Sequence, residues 1–385
     1  MRCDVLVVGG GPVGCYAASI MAPELDVKVV EEHPRVGEPV QCAGLVTPRV
    51  VEMVSAQDAV LNRVDGAYVH FPNGRILELN GDGEKAVVVD RGEFDRRCAS
   101  LAQKAGAEVI LGKKCVSVRR DGKHIIGTIG EEEVRSEALL AADGYRSGVS
   151  RQLGLAQARD LVRGIEVDIR FKLDDQRKVH VHLGRNVAPG FFAWAIPCGD
   201  VTRVGLCVAN GEGTPQRYLS AFLEGQGWSG MEKVRTYSGI IPLGHVERTH
   251  AERTLLAGDA AGMAKPISGG GLYTGMTAGR MAAETFKEAF NKNDLTEQHL
   301  SSYENAWKRE FGSELRNSYR VRRVFVKMTD ADLDKAGRKF DTEKAKKVLA
   351  TGDIDFPTAI ARPLLRSAPS ILTLSPMLIL RLMRR

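Results

Sequence analysis

Residues 4–14 read Asp4-Val5-Leu6-Val7-Val8-Gly9-Gly10-Gly11-Pro12-Val13-Gly14, an apolar run that passes directly into GxGxxG. A short apolar run closed by glycines is a buried strand, and a helix is expected to open after the glycines. In that context Gly9 permits a sharp turn, Gly11 lets backbone N–H groups approach a pyrophosphate, and Gly14 lets the helix pack close on the sheet. The helix N-terminus then faces the phosphates. A second apolar run, Val27-Lys28-Val29-Val30, ends at Glu31, seventeen residues after Gly14. A carboxylate there accepts both ribose hydroxyls and argues against a 2′-phosphate. GxGxxG alone is a weak signal; strand, glycines, helix and acid in register point to a dinucleotide.

Leu255-Leu256-Ala257-Gly258-Asp259-Ala260-Ala261-Gly262 is another apolar strand ending in Gly-Asp, followed by Pro266, by Gly269-Gly270-Gly271 and by a helix-like stretch from Leu272 to Phe290. An aspartate here can bind a ribityl hydroxyl, and the next helix points its positive end at the pyrimidine edge of a flavin. Between these lies Leu139-Leu140-Ala141-Ala142-Asp143-Gly144, a third strand running into Asp-Gly. The triplet resembles the FAD-binding fold shared by the hydroxybenzoate hydroxylase and glutathione reductase superfamily, over residues 1 to 290. That resemblance implies an α/β, Rossmann-like FAD-binding fold. It also implies FAD contacts from Gly9, Gly11, Pro12, Gly14 and Glu31, from Asp143, and from Gly258, Asp259, Gly270, Gly271 and Leu272.

The chain has 385 residues, more than one core usually serves, so two interlocked domains and an appendage are expected. Its 54 basic and 48 acidic residues leave a formal +6, a mild bias that suits phosphate-bearing ligands. No long basic block supports nucleic-acid binding. The chain begins directly on the nucleotide-binding strand with no signal peptide, which points to the cytoplasm. The seven cysteines, Cys3, Cys15, Cys42, Cys98, Cys115, Cys198 and Cys207, include no C-x-x-C pair, so neither a disulfide framework nor an iron–sulfur cluster is indicated.

Between the flavin motifs the periodicity becomes strand-like. Ala67–Phe71 and Arg75–Leu79 around Pro72-Asn73-Gly74 read as a hairpin, and 108–141 holds short strands broken at Asp121-Gly122 and Gly130-Glu131. Further strands are expected at 165–171, 179–183, 191–196 and 203–208. They should form an inserted antiparallel sheet roofing the flavin. The FAD domain is then discontinuous, 1–65, 85–160 and 245–290. The substrate sheet covers 66–84 and 161–244, and a mostly helical region covers 291–385.

Two local sequences narrow the function. Gly37-Glu38-Pro39-Val40-Gln41-Cys42-Ala43-Gly44-Leu45 follows Glu31, and Pro189-Gly190-Phe191-Phe192-Ala193-Trp194-Ala195-Ile196-Pro197 continues to Val204-Gly205. Together they resemble the geranylgeranyl reductase family, in which a Cys-x-Gly segment lies beside the flavin and a Tyr-x-Trp-x-Phe-Pro strand lines the prenyl pocket. Phe192 stands for the tyrosine and Ile196 for the phenylalanine, while Trp194 and Pro197 match. The resemblance brings Cys42, Ala43 and Gly44 over the flavin ring, gives Cys42 a part in positioning or protonating the alkene, and places Arg91 near the FAD phosphates. On a strand Phe192, Trp194 and Ile196 project to one face, a stripe able to line a polyprenyl channel; sheet core is the other reading.

His180 and His182 share a strand face, yet a metal site needs at least a third ligand and none is close in sequence, so no metal is expected. Ser370 to Leu382, ahead of Met383-Arg384-Arg385, is too short and too interrupted by Pro376 to span a bilayer. It suits either the anionic inner membrane surface or a cover over the channel. The resemblance implies FAD-dependent reduction of isoprenoid double bonds on a prenylated glycerophospholipid of archaeal type. An FAD-dependent aromatic hydroxylase or monooxygenase and an isoprenoid carrier with structural FAD stay open. No second GxGxxG with an acid is present, so ferredoxin, a deazaflavin or NADPH all stay open as electron donor.

Overall fold

Val5, Leu6 and Val7 are fully buried, and apolar neighbours cover both faces of their strand, Arg2–Val8. Continuous burial of this kind belongs to a parallel strand with both faces covered. In the computed structural model, which describes residues 1–158 and 160–367, Arg2–Val8 pairs in parallel with Glu132–Ala141 on one side and Val27–Val30 on the other. Glu108–Ile110 and Thr254–Leu256 extend the parallel run at its two ends. The antiparallel strands Cys115–Asp121, His124–Ile129 and His250–Ala251 bring this sheet to eight.

Helix Pro12–Met21 packs against both Arg91–Lys104 and Leu272–Asn291. Its approach to the last of these depends on glycine. A Cβ on Gly275 would lie 2.9 Å from Val13 Cγ2, and one on Gly279 3.0 Å from the Val13 carbonyl oxygen. The first turns of Pro12–Met21 and Leu272–Asn291 are therefore held together, although 260 residues separate Pro12 from Leu272.

The second sheet has seven strands in the order Lys233–Leu243, Asp160–Ile169, Val201–Ala209, Ala193–Cys198, Lys178–His182, Gly66–His70, Ile76–Asn80. One pairing departs from the expected antiparallel pattern: Gly66–His70 runs parallel to Lys178–His182. The backbone N–H of Asp65 bonds the Arg177 carbonyl at 2.9 Å, which starts both strands at the same end. Helix Pro215–Gly225 closes one face by packing Leu219, Phe222 and Leu223 on Val167, Ala193, Ala195 and Leu206. The opposite face carries Trp194, Gly205 and Glu166, which lie abreast on three neighbouring strands.

A small three-stranded sheet, Leu45–Val46, Ala86–Val89 and Val60–Val64, lies between the two. The chain then continues through helices Glu297–Trp307, Ser313–Phe325, Asp330–Phe340, Glu343–Ala350 and Ala361–Ser367. No helix of the described residues is long and apolar enough to cross a membrane. The Ser370–Leu382 segment lies outside the described residues.

Candidate active site

The glycines of the first turn divide by what a side chain would meet. A Cβ on Gly9, whose φ is +108°, would strike the Ala142 carbonyl oxygen at 2.2 Å, and one on Gly14 would strike the Gly9 oxygen at 2.1 Å. These two are required for packing. A Cβ on Gly11 would meet nothing within 4 Å. The space beyond Gly11 therefore opens at the helix start, where the first N–H groups have no partner within the helix. Pro12 occupies the first helical position. Glu31 is fixed beside this turn: Oε2 accepts the Gly10 N–H at 2.9 Å, and Oε1 accepts the His33 N–H at 2.9 Å and lies 2.6 Å from His33 Nδ1.

The next two acids arrive at neighbouring strand ends. Asp143 follows Ala142, whose N–H bonds the Val8 carbonyl. Its Oδ2 accepts the Val149 N–H at 3.2 Å, Oδ1 is buried without a partner, and burial raises the carboxyl pKa. Asp259 stands in the turn Gly258–Ala261, where a Cβ on Gly258 would lie 3.0 Å from Val13 Cγ2. Burial pushes its carboxyl up to about 6, with Arg91 opposing. Asp259 Oδ1 would lie 3.3 Å from a Cβ on Gly271, the residue before Leu272, and no side chain caps that helix. The Gly270 carbonyl is held by the Lys265 N–H. An open helix start, an orphaned carboxylate oxygen and a desolvated acid at a second uncapped helix start fit a flavin nucleotide, whose pyrophosphate, hydroxyls and ring edge need such partners.

The Cys42 loop is clamped between this region and the second sheet. Gly44, at φ +72°, passes so close to the Val89 carbonyl that a Cβ would lie 2.5 Å from its oxygen. The Gly44 N–H donates to Cys42 Sγ at 3.4 Å, the Arg91 guanidinium also reaches that sulfur, and Arg203 Nη1 donates to the Ala43 carbonyl at 2.9 Å. Arg91, expected beside the phosphates, commits its guanidinium to Asp95 one helical turn away, through Nε at 3.1 Å and Nη2 at 3.0 Å. Its guanidinium also lies near Cys42 and Asp259.

The aromatic stripe splits. Phe192 and Trp194 are half-buried with ring centroids 6.1 Å apart, edge to face. Both pack on the cluster of Val162, Phe191, Cys207, Leu243 and Ala264, and Trp194 also on that of Val64, Ala86, Val88 and Ile196, rather than on the helix Pro215–Gly225. Ile196 is enclosed by Val64, Ala86 and Val88 of the small sheet, so it backs the wall instead of forming its surface.

Sequence reading missed three features here. Glu166 and Asp168 alternate with Ile165, Val167 and Ile169 and point toward the Cys42 loop. Asp168 takes Arg203 bidentately, Nε at 2.7 Å and Nη2 at 3.0 Å, and accepts the Tyr237 hydroxyl. The segment 353–355 reaches back over the site: Lys265 Nζ donates to Asp355 Oδ1 at 2.6 Å and to the Ile354 carbonyl, and Thr47 Oγ1 donates to Asp355 Oδ2 at 2.5 Å. A third histidine does approach His180 and His182, because the parallel register places His70 opposite His182. His70 Nε2 meets His180 Nδ1 at 3.0 Å, while His182 stacks on His70 with centroids 4.0 Å apart and planes 8° from parallel. The three rings bring one nitrogen each within 4.8 Å of one another, a grouping that could hold a cation, so the expectation that no third ligand joins His180 and His182 does not hold.

The family model described as lycopene cyclase protein matches residues 4–344. A digeranylgeranylglycerophospholipid reductase of Methanothrix thermoacetophila is 31% identical, over 97% of this chain and 98% of the relative. A protein of the same description from Methanocaldococcus jannaschii is also 31% identical, over 86% of this chain and 88% of the relative. Among solved structures, a geranylgeranyl bacteriochlorophyll reductase-like protein from Thermoplasma acidophilum superposes with a TM-score of 0.87 at 25% identity, covering 98% of this chain and 99% of that one. The flavin-dependent halogenase CmlS, at 18% identity and TM-score 0.69 over 97% and 78% of the two chains, shares the fold. The chain thus belongs to the geranylgeranyl reductase family of flavin-dependent oxidoreductases, and it matches the lycopene cyclase protein model.

Proposed function

We propose that this chain is an FAD-dependent reductase that saturates the double bonds of geranylgeranyl groups on prenylated glycerophospholipids. The observation that supports the reading is that Ala43 and Leu45 of the Cys42 loop pack on the same apolar cluster as Trp194, while Phe192 and Trp194 pack with Ala264, which borders Gly271 and Asp259 at the start of Leu272–Asn291. When bound, reduced FAD supplies hydride. The chain's own residues do the rest. Gly9, Gly11 and Gly14 shape the turn for the pyrophosphate, Glu31 takes the adenosine ribose, and Asp143 and Asp259 take hydroxyl and ring-edge donors. Phe192 and Trp194 line the apolar groove along which the chain slides, while Cys42, Ala43 and Gly44 hold the double bond in place. The substrate is drawn from the inner membrane face, and ferredoxin, a deazaflavin or NADPH serves as the electron source.

Anaerobic mass spectrometry of a digeranylgeranyl lipid after mixing with photoreduced protein tests this. Gains in steps of two hydrogens support it. Unchanged lipid and a persistent reduced-flavin spectrum indicate a carrier, oxygen-dependent hydroxylation of an aromatic compound a monooxygenase, and an isobaric product a cyclase.

A further inference from the structure

We propose that Glu166 is the acid that delivers the proton to the alkene, a role that rests on the reductase reading above. Its side chain is buried on the loop-facing side of the second sheet, and neither carboxylate oxygen has a hydrogen-bond partner. Beside it stands Trp194 Nε1, likewise without a fully formed hydrogen bond, which lies close enough to favour the charged carboxylate. Both side chains cross the same missing methyl: a Cβ on Gly205 would lie 2.5 Å from Glu166 Cβ and 2.6 Å from Trp194 Cε2. Glycine at this position thus opens the notch that sets the carboxyl against the indole lining the groove.

Desolvation of a fully buried carboxyl opposes its charge, and here it outweighs the pull of Arg203 and Arg91, so the neutral acid stays populated near neutrality. Burial pushes Glu166 up to about 7, with Asp168 adding to the rise. The groups facing it are Arg203 on the adjacent strand, Arg91 from its helix and the Trp194 indole, which each favour the anion, together with Cys207 and Tyr237 on the flanking strands. Arg203 is held in place by Asp168 and is charged throughout.

The step balances. Hydride supplied by reduced flavin forms a C–H bond at one alkene carbon, the Glu166 O–H breaks to form the second C–H bond, and the π bond is lost. Glu166 is left as a carboxylate beside Arg203 and regains a proton from water before the next double bond arrives. Acid transfer from a carboxyl held near neutrality is an established use of buried glutamate.

The test compares wild type with Glu166→Gln and Glu166→Asp. Photoreduced, flavin-loaded protein is mixed anaerobically with digeranylgeranylglycerophospholipid in vesicles, and flavin reoxidation is followed. Glu166→Gln is expected to slow reoxidation by roughly 100-fold or more while photoreduction is unchanged, with Glu166→Asp between. The wild-type rate should fall as pH rises through about 7. Independently of turnover, difference infrared spectra of the flavin-free protein between about pH 5 and about pH 9 should show a carboxylic acid component titrating near 7 that is lost in Glu166→Gln, while the component of Asp259, which titrates near 6, remains. A wild-type rate in a folded Glu166→Gln variant, or no such band in wild type, overturns the assignment. Failure of wild type itself to reduce the lipid overturns the reductase reading and the proton role with it, whereas failure confined to the variant comparison leaves that reading standing.

Discussion

Lys265 and Asp355 form a buried ion pair 2.6 Å apart, each no more than 3% exposed, between the loop ahead of Leu272–Asn291 and a segment ninety residues later. Removing one partner of such a pair strands the other charge in a low-dielectric setting. Asp355→Ala should therefore lower stability by about 3–5 kcal/mol and release bound flavin at lower denaturant. Urea unfolding followed by flavin fluorescence checks both. Unchanged stability would mean that water reaches Lys265.

Gly11 and Gly14 should respond oppositely to alanine. At Gly14 the new methyl meets the Gly9 oxygen at 2.1 Å, so Gly14→Ala should cost about 1–3 kcal/mol or more in the flavin-free protein. At Gly11 the methyl enters open space. Gly11→Ala should melt with wild type when flavin-free yet hold FAD about ten-fold more weakly. Thermal melts with flavin stripped, beside equilibrium titration with FAD, separate the two.

Glu31→Ala removes an acceptor from Gly10 and His33 as well as the proposed ribose contact. The loss in FAD affinity should be about 1–3 kcal/mol. FMN, which lacks the adenosine, should bind wild type and variant alike, and an equal loss for both ligands would place Glu31 away from the ribose.

Glu166 makes stability depend on pH through its raised carboxyl. The folded protein holds this proton more tightly than the unfolded chain, so stability falls as pH climbs from about 4.5 toward about 7 and is flat beyond. Glu166→Gln escapes this loss. Relative to wild type it should gain on the order of 1–3 kcal/mol at pH 8, and the gain should vanish at low pH. Parallel denaturation curves across that range decide it.

Trp194→Ala and Cys42→Ser probe the groove. The indole is half-buried, and its removal should cost about 3 kcal/mol and impair prenyl turnover more than flavin reduction. Cys42→Ser should keep flavin and accept electrons normally yet slow reoxidation by lipid. Stopped-flow traces with and without lipid distinguish these; equal losses in both half-reactions would move either residue to the cofactor.

What was legible in the sequence is what is local. Strand, glycine turn and helix follow one another within residues 2–21, and Gly258–Asp259 precedes its helix by a dozen residues, so spacing alone carries them. Glu166 escaped because residues 165–169 are buried on both faces, and alternation then gives no sign of which side looks at the site. His70 meets His182 only through a parallel register between strands far apart in sequence. Arg91 was placed near the site, but its bond to Asp95 depends on a helical turn rather than on a motif.

The bonds from residues 353–355 back to Thr47, Arg49 and Lys265 also impose an order on biosynthesis. Thr47 leaves the ribosome 308 residues before Asp355. At about 5–20 residues per second, roughly 15–60 s separate them. For that interval the first strand, its glycine turn and Glu31 are already outside while the segment that straps the site shut does not yet exist. The flavin site is complete only once Leu272 has been made, 83 residues before Asp355, so at that rate roughly 4–17 s separate an open, complete site from the later stretch that latches it.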